Sequence, residues 1–144
     1  MMQLPITWQR LVSEGRTCGR CDATYQHLQS AIAKLTDVLK PLGIEPILES
    51  RAIDEKSFKD RPAESNRVWI AGKPLEEWLG ANTGKSPCSS VCGDSSCRTM
   101  EVEGAVFEEI PEAIILKAGL MAASDLIAHP TPPLHDHCAC ERTA

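Results

Sequence analysis

Residues 6–48 read ITWQRLVSEGRTCGRCDATYQHLQSAIAKLTDVLKPLGIEPIL, and the order of signals inside them decides the fold. At the front, Ile6, Trp8 and Val12 are interleaved imperfectly with polar residues, which predicts a short strand over 6–12. Tyr25, Leu28, Ala31, Ile32, Leu35, Val38 and Leu39 then recur at three and four, so residues 22–39 should form a helix with one apolar face. Pro41 and Gly43 stop it, and 44–48 reads as a second strand that Pro46 confines to an edge or a bulge. Strand, helix, strand is a βαβ unit. Its strands are parallel and its crossover right-handed, which puts the first strand-to-helix turn at the carboxyl edge of the sheet. That turn holds Cys18-Gly19-Arg20-Cys21.

Outward from this unit, residues 53–65 are polar, with room for a short helix over 55–58 before Pro62. A third strand is expected at 67–70, a turn at Ala71-Gly72-Lys73, and a brief strand or helix over 74–80 with Leu75, Trp78 and Leu79 inward. Residues 82–96 are rich in Gly, Ser, Pro and Cys, and too long and polar for a simple turn, so a cysteine-rich loop insertion is expected over 82–97. The segments 98–102 and 105–110 flank Glu103-Gly104 as a hairpin, and Pro111 opens a last helix to about residue 128. The expected architecture is α/β: the βαβ unit, an antiparallel β part and a C-terminal helix in one domain, 1–128. Residues 129–144, with Pro130, Pro132 and Pro133, form a flexible tail.

Composition narrows the function. A chain of 144 residues with 42% hydrophobic content buries one core, and a net charge of −5 leaves no general basic surface for nucleic acid. The start, Met1-Met2-Gln3-Leu4-Pro5, lacks the basic and apolar regions of a secretory signal, so a cytoplasmic location is expected. The most apolar stretch, 113–128, is interrupted by Lys117, Gly119 and Asp125 and falls short of the ~20 apolar residues that span a bilayer. Seven cysteines is an odd number, and a reducing cytosol does not sustain a structural disulfide framework. Redox or metal chemistry is the remaining use for them.

At the first pair the logic is electrostatic. A helix N-terminus offers unpaired amides and partial positive charge, which favour thiolate at Cys18, with Arg16 and Arg20 adding charge nearby. Cys21, one turn on, closes or reopens a disulfide, which makes Cys18 the nucleophile and Cys21 the resolving thiol of a redox centre. The same spacing also serves as half of a structural zinc site, or as two inert, partly buried thiols. The order strand, Cys-x-x-Cys, helix is the context of the thioredoxin-like motif.

The chain resembles thioredoxin-fold proteins, and more closely a small prokaryotic thioredoxin-like family of unknown function. The likeness is carried by Thr17-Cys18-Gly19-Arg20-Cys21, Pro41-Leu42-Gly43-Ile44, Gly72-Lys73-Pro74-Leu75-Glu76, Trp78-Leu79-Gly80-Ala81, Cys92-Gly93-Asp94 and Cys97-Arg98-Thr99. It implies a thioredoxin-like fold with Cys18 and Cys21 as the active pair. Thioredoxins place a cis-proline before the third strand, facing that pair, where it helps hold peptides and keeps metal from the thiols. Here Glu64-Ser65-Asn66-Arg67 stands in that place, a departure that favours a thiophilic ion.

Cys88, Cys92 and Cys97 form a second group, whose three thiolates suit zinc, copper, mercury, arsenite or an iron–sulfur cluster, a thiol relay for the first pair, or a local structural role. Arg98 either promotes ionisation of Cys97 or is solvated. In the tail, His135, His137, Cys138 and Cys140 place four potential ligands in six residues, enough to capture a metal without a prior fold. His27 is a base near Cys21 or an ordinary half-exposed helical histidine, and Trp8, Trp69 and Trp78 are packing residues. Three functions are thus open: a thiol–disulfide oxidoreductase needing no cofactor and acting on protein or small-molecule disulfides; a soft-metal or metalloid carrier or sensor; and an iron–sulfur electron carrier.

Overall fold

The computed structural model describes residues 1–15, 19–87 and 96–129. They form an α/β structure with two sheets and a C-terminal helix. The strands are β1 (Met2–Leu11), β2 (Ile44–Ile53), β3 (Arg67–Ile70), β4 (Lys73–Pro74), β5 (Asn82–Pro87), β6 (Ser96–Val102) and β7 (Ala105–Phe107). The helices are α1 (Gly19–Leu39), α2 (Glu55–Asp60), α3 (Leu75–Leu79) and α4 (Glu112–Ala128). One sheet is mixed, in the order β2-β1-β3-β4; the other is antiparallel, in the order β5-β6-β7.

β1 is central. It runs parallel to β2 from Met2↔Ile44 to Leu11↔Ile53 and antiparallel to β3 from Ile6↔Ile70 to Gln9↔Arg67. Both strands of the parallel pair exceed the lengths that apolar patterning predicts, because ladder hydrogen bonds carry them past their apolar residues. Beyond Leu48, β2 is almost wholly exposed, so its second half leaves no hydrophobic period to read. Pro46 lies opposite Leu4 on this edge strand, as its missing N–H demands.

Leu4, Ile6 and Trp8 share one face of β1 through the two-residue period, and Trp8 stacks on Tyr25 of α1 with centroids 5.0 Å apart. Beneath α1 lie Leu28, Ala31, Leu35 and Leu39, each buried, and every such large side chain contributes roughly 1.5–3 kcal/mol. α4 closes this layer against α1 with small residues, Ala118, Gly119, Ala122 and Ala123. A Cβ on Gly119 would stand 2.7 Å from Leu35 Cδ1, so the close approach of the two helices needs glycine there.

The remaining segments follow local chemistry. Asp54 caps α2 by accepting the Ser57 N–H at 2.8 Å, a bond that holds its carboxyl below the usual value. Positive φ at Ala71 and Gly72, and at Glu103 and Gly104, makes the tight turns β3–β4 and β6–β7. The 74–80 segment is a helix, α3, entered through Pro74.

One expectation needs correction. Of the loop expected over 82–97, residues 82–87 and 96–97 belong to strands: β5 pairs with β6 from Asn82↔Glu101 to Pro87↔Ser96. Its side chains are nearly all exposed, so the pattern carries no buried period, and Gly84 is required because a Cβ there would meet Thr99 Oγ1 at 2.8 Å. β7 also stops at Phe107, short of residue 110, since Ile110 leaves the sheet to donate its N–H to Thr24 Oγ1 at 3.0 Å.

Candidate functional site

Three chain segments meet at the carboxyl end of β1: the start of α1, the end of β1 and the entry to β3. Cys21, in the first turn of α1, is 1% exposed, and its Sγ lies 3.6 Å from Ser65 Oγ. That oxygen also accepts the Leu11 N–H at 2.9 Å, which ties the end of β1 to the residue before Asn66 and β3. Asn66 holds φ +58° and accepts the Trp8 indole N–H at 3.2 Å, while Gln9 donates to the Glu64 carbonyl at 2.8 Å. This segment, 64–66, therefore stands against both β1 and α1. Cys18 and Arg16 lie outside the described residues.

Arg20 reaches toward the second sheet. Its guanidinium forms an ion pair with Glu108 at 2.8 Å and donates to Ser86 Oγ and to the Pro87 carbonyl, the latter at 3.2 Å. Glu108 thus shares the charge of this guanidinium. What Arg20 does is join the start of α1 to the end of β5.

Arg98 is not the solvated side chain that one of its sequence readings offers. It is buried and donates to Glu76 Oε2 through Nε at 3.1 Å and Nη2 at 2.8 Å, to Thr83 Oγ1 at 3.0 Å and to the Ala63 carbonyl at 2.5 Å. It is a buried bridge between β6, α3, β5 and the turn before β3. Cys97, beside it in sequence, is 3% exposed and opposite Ser86 in the β5–β6 ladder.

Of the other proposed ligands, Cys88, Cys92, His135, His137, Cys138 and Cys140 lie outside the described residues. Among the described residues no three His, Cys, Asp or Glu side chains gather as a metal site. His27 Nδ1 lies 2.8 Å from the Ile110 carbonyl, which fastens α1 to the segment leading into α4. Trp8 is core, Trp78 donates its N–H to the Ile70 carbonyl at 2.8 Å, and the Trp69 ring meets the guanidinium groups of Arg51 and Arg67. A cavity of about 280 Å³ opens beside the start of α1, lined by Trp8, Arg10 and Tyr25 and by Gly15 and Asp22, which bracket the cysteine turn in sequence.

Sequence reasoning missed Ser65, Asn66 and Glu76 as buried polar residues. No periodicity marks them.

With this geometry in view, family comparison is informative. Residues 4–119 match the family described as a domain of unknown function, DUF2703. The chain belongs to this family. An uncharacterized protein of Archaeoglobus fulgidus is 41% identical over 114 residues, which cover 79% of this chain and 83% of the relative. No solved structure matches the chain. No helix among the described residues is long and apolar enough to cross a membrane.

Proposed function

We propose that this DUF2703 protein is a thiol–disulfide oxidoreductase of thioredoxin-like architecture, with Cys18 as nucleophile and Cys21 as resolving thiol. The observation that carries this reading is Cys21, buried in the first turn of α1 at the carboxyl end of β1 and in contact with Ser65 at the entry to β3. The strand order β2-β1-β3-β4, a parallel pair joined by α1 and an antiparallel pair beside it, with α4 returning against α1, supports the architecture. The cycle begins when the Cys18 thiolate attacks a disulfide, forms a mixed disulfide and expels one thiolate. Cys21 then attacks Cys18, releases the second thiolate and leaves the protein pair oxidised by two electrons. No cofactor takes part, and protein or small-molecule disulfides of the cytoplasm are the proposed partners.

A second reading is a carrier or sensor of a soft ion, zinc, copper, mercury or arsenite, held by Cys88, Cys92 and Cys97. It is favoured by Ser65-Asn66 standing where a metal-excluding proline would be, and by Arg20, which ties Pro87, the neighbour of Cys88 in sequence, to the start of α1. Trypsin separates the two thiols of the pair, because it cleaves after Arg20. In Cys21→Ser treated with a peptide disulfide, a stable adduct should therefore collect on the peptide 17–20. Full turnover in that variant would overturn the resolving role, and a stoichiometric soft metal in anaerobically purified protein would move the balance to the second reading.

A further inference from the structure

Ser65 is built into the end of the β1–β3 ladder. Continuing the register Gln9↔Arg67 outward places Ser65 opposite Leu11, but the positive φ of Asn66 turns the backbone away. The Ser65 hydroxyl takes over, accepting the Leu11 N–H at 2.9 Å. A serine hydroxyl has one proton and two lone pairs to place. The backbone amide uses one lone pair and fixes the oxygen, and Cys21 Sγ lies 3.6 Å away. When Cys21 is a thiol, either atom donates. When its sulfur carries negative charge, the donor of this bond must be Ser65, and a hydrogen bond to a charged acceptor is the stronger kind. At 1% exposure the sulfur is shielded from bulk water, so donors within the protein must meet the charge.

We infer that Ser65 is a positioning residue for the resolving step, its hydroxyl stabilising the Cys21 sulfur as it becomes the attacking thiolate. The inference rests on the reading of Cys18 and Cys21 as the reacting pair. In this step the Cys21 sulfur bonds to Cys18 Sγ, the bond between Cys18 and the substrate sulfur breaks, and the substrate leaves as a thiolate that takes up the proton given up by Cys21. Two electrons have then passed from the cysteine pair to the substrate disulfide. Ser65 is unchanged throughout.

The test follows the lifetime of the mixed disulfide in the full chain. Reduced protein is mixed with a peptide disulfide, quenched in acid at intervals, alkylated and cleaved with trypsin. The adduct is read on the peptide 17–20, and the closed pair as that peptide linked to 21–34. Ser65→Ala should lengthen the adduct's lifetime about tenfold, the scale of one lost hydrogen bond to a charged group, while its rate of formation changes little. Ser65→Thr keeps the hydroxyl and should restore the native lifetime; Ser65→Val, with the shape of threonine but no hydroxyl, should match Ser65→Ala. A purely structural role would lower the unfolding midpoint without separating resolution from formation. Equal lifetimes in the native, Thr and Val proteins would overturn the inference and leave the cysteine pair standing. If the native protein forms neither the adduct nor the linked peptides, the pair itself is wrong and the inference falls with it.

Discussion

Along β1, Leu4 and Ile6 are 0% exposed and Leu11 1%, whereas five of the six residues of β5 are exposed. The first sheet is held by apolar contact with α1 and α4. Much of the second sheet's attachment is polar: Arg98 fastens β6 to Glu76 of α3, to Thr83 and to Ala63, and Arg20 fastens the end of β5 to α1. The contrast shows why the proposed site has two kinds of neighbour. Cys21 belongs to the apolar layer that sets its depth, while the strands flanking the cysteine-rich segment are aligned by guanidinium groups whose geometry is specific.

Removing one guanidinium should therefore hurt as much as emptying part of the core, but in a different place. Arg98→Met strands the buried Glu76 carboxylate, whose Oε1 already has no hydrogen-bond partner among the described residues, and should cost about 3–5 kcal/mol in urea unfolding. Leu28→Ala opens a cavity under α1 and should cost about 2–5 kcal/mol. Amide exchange separates the two. Arg98→Met should expose β5, β6 and β7 first and spare β1, while Leu28→Ala should lower protection in β1 and α1 together. Identical exchange patterns would mean that both sheets open as one unit and would dissolve the contrast.

The same division explains what could be read from the sequence. The helix periodicity from Tyr25 to Leu39 and the stop at Pro41-Gly43 located α1, and the four residues of β3 were legible at their exact ends. β5 was not, since a strand defined by its partner's hydrogen bonds and exposed on its side chains has no hydrophobic signature. The place of Cys21 in the first turn of α1 was legible from its spacing and helix context. Ser65 was not, because its bond to the Leu11 N–H depends on the end of β1, fifty-four residues away. The bridges made by Arg98 and Arg20 were not legible, because their partners Glu76 and Glu108 stand far from them along the chain.

Arg20→Ala sharpens the comparison at the seam between the two sheets. Its side chain is 12% exposed but Glu108 is 59% exposed, so the ion pair itself contributes little and the bonds to Ser86 and Pro87 carry the effect. A loss of about 1 kcal/mol is expected, with faster amide exchange at the end of β5 and unchanged exchange in α1 beyond its first turn. Glu108→Gln should lose still less, and mainly at low salt. If exchange at Ser86 is the same with and without Arg20, the guanidinium does not hold β5 in place.

The smallest effect tests whether the apolar half has polar ties that matter. Between α1 and α4, Glu112 accepts hydrogen bonds from Lys34 and from Ser30, the latter at 2.8 Å, and these hold its carboxyl below the usual 4.5, the Lys34 bond being the larger cause. A carboxyl whose folded value is depressed binds fewer protons folded than unfolded. Its contribution is therefore complete above about pH 4.5 and is lost as pH falls through the lower folded value. Lys34 is 60% exposed, so the contribution is small and should shrink with added salt. Native protein and Glu112→Gln should differ in urea midpoint by a constant small amount from about pH 7 to about pH 5, then converge as the solution is acidified. Taking the difference between the two proteins cancels Asp54, whose carboxyl is also held low, first by the Ser57 N–H. A gap that stays level to about pH 3 would show that the Glu112 charge adds nothing to the helix pair, leaving α1 and α4 joined by Leu35, Gly119 and their apolar neighbours alone.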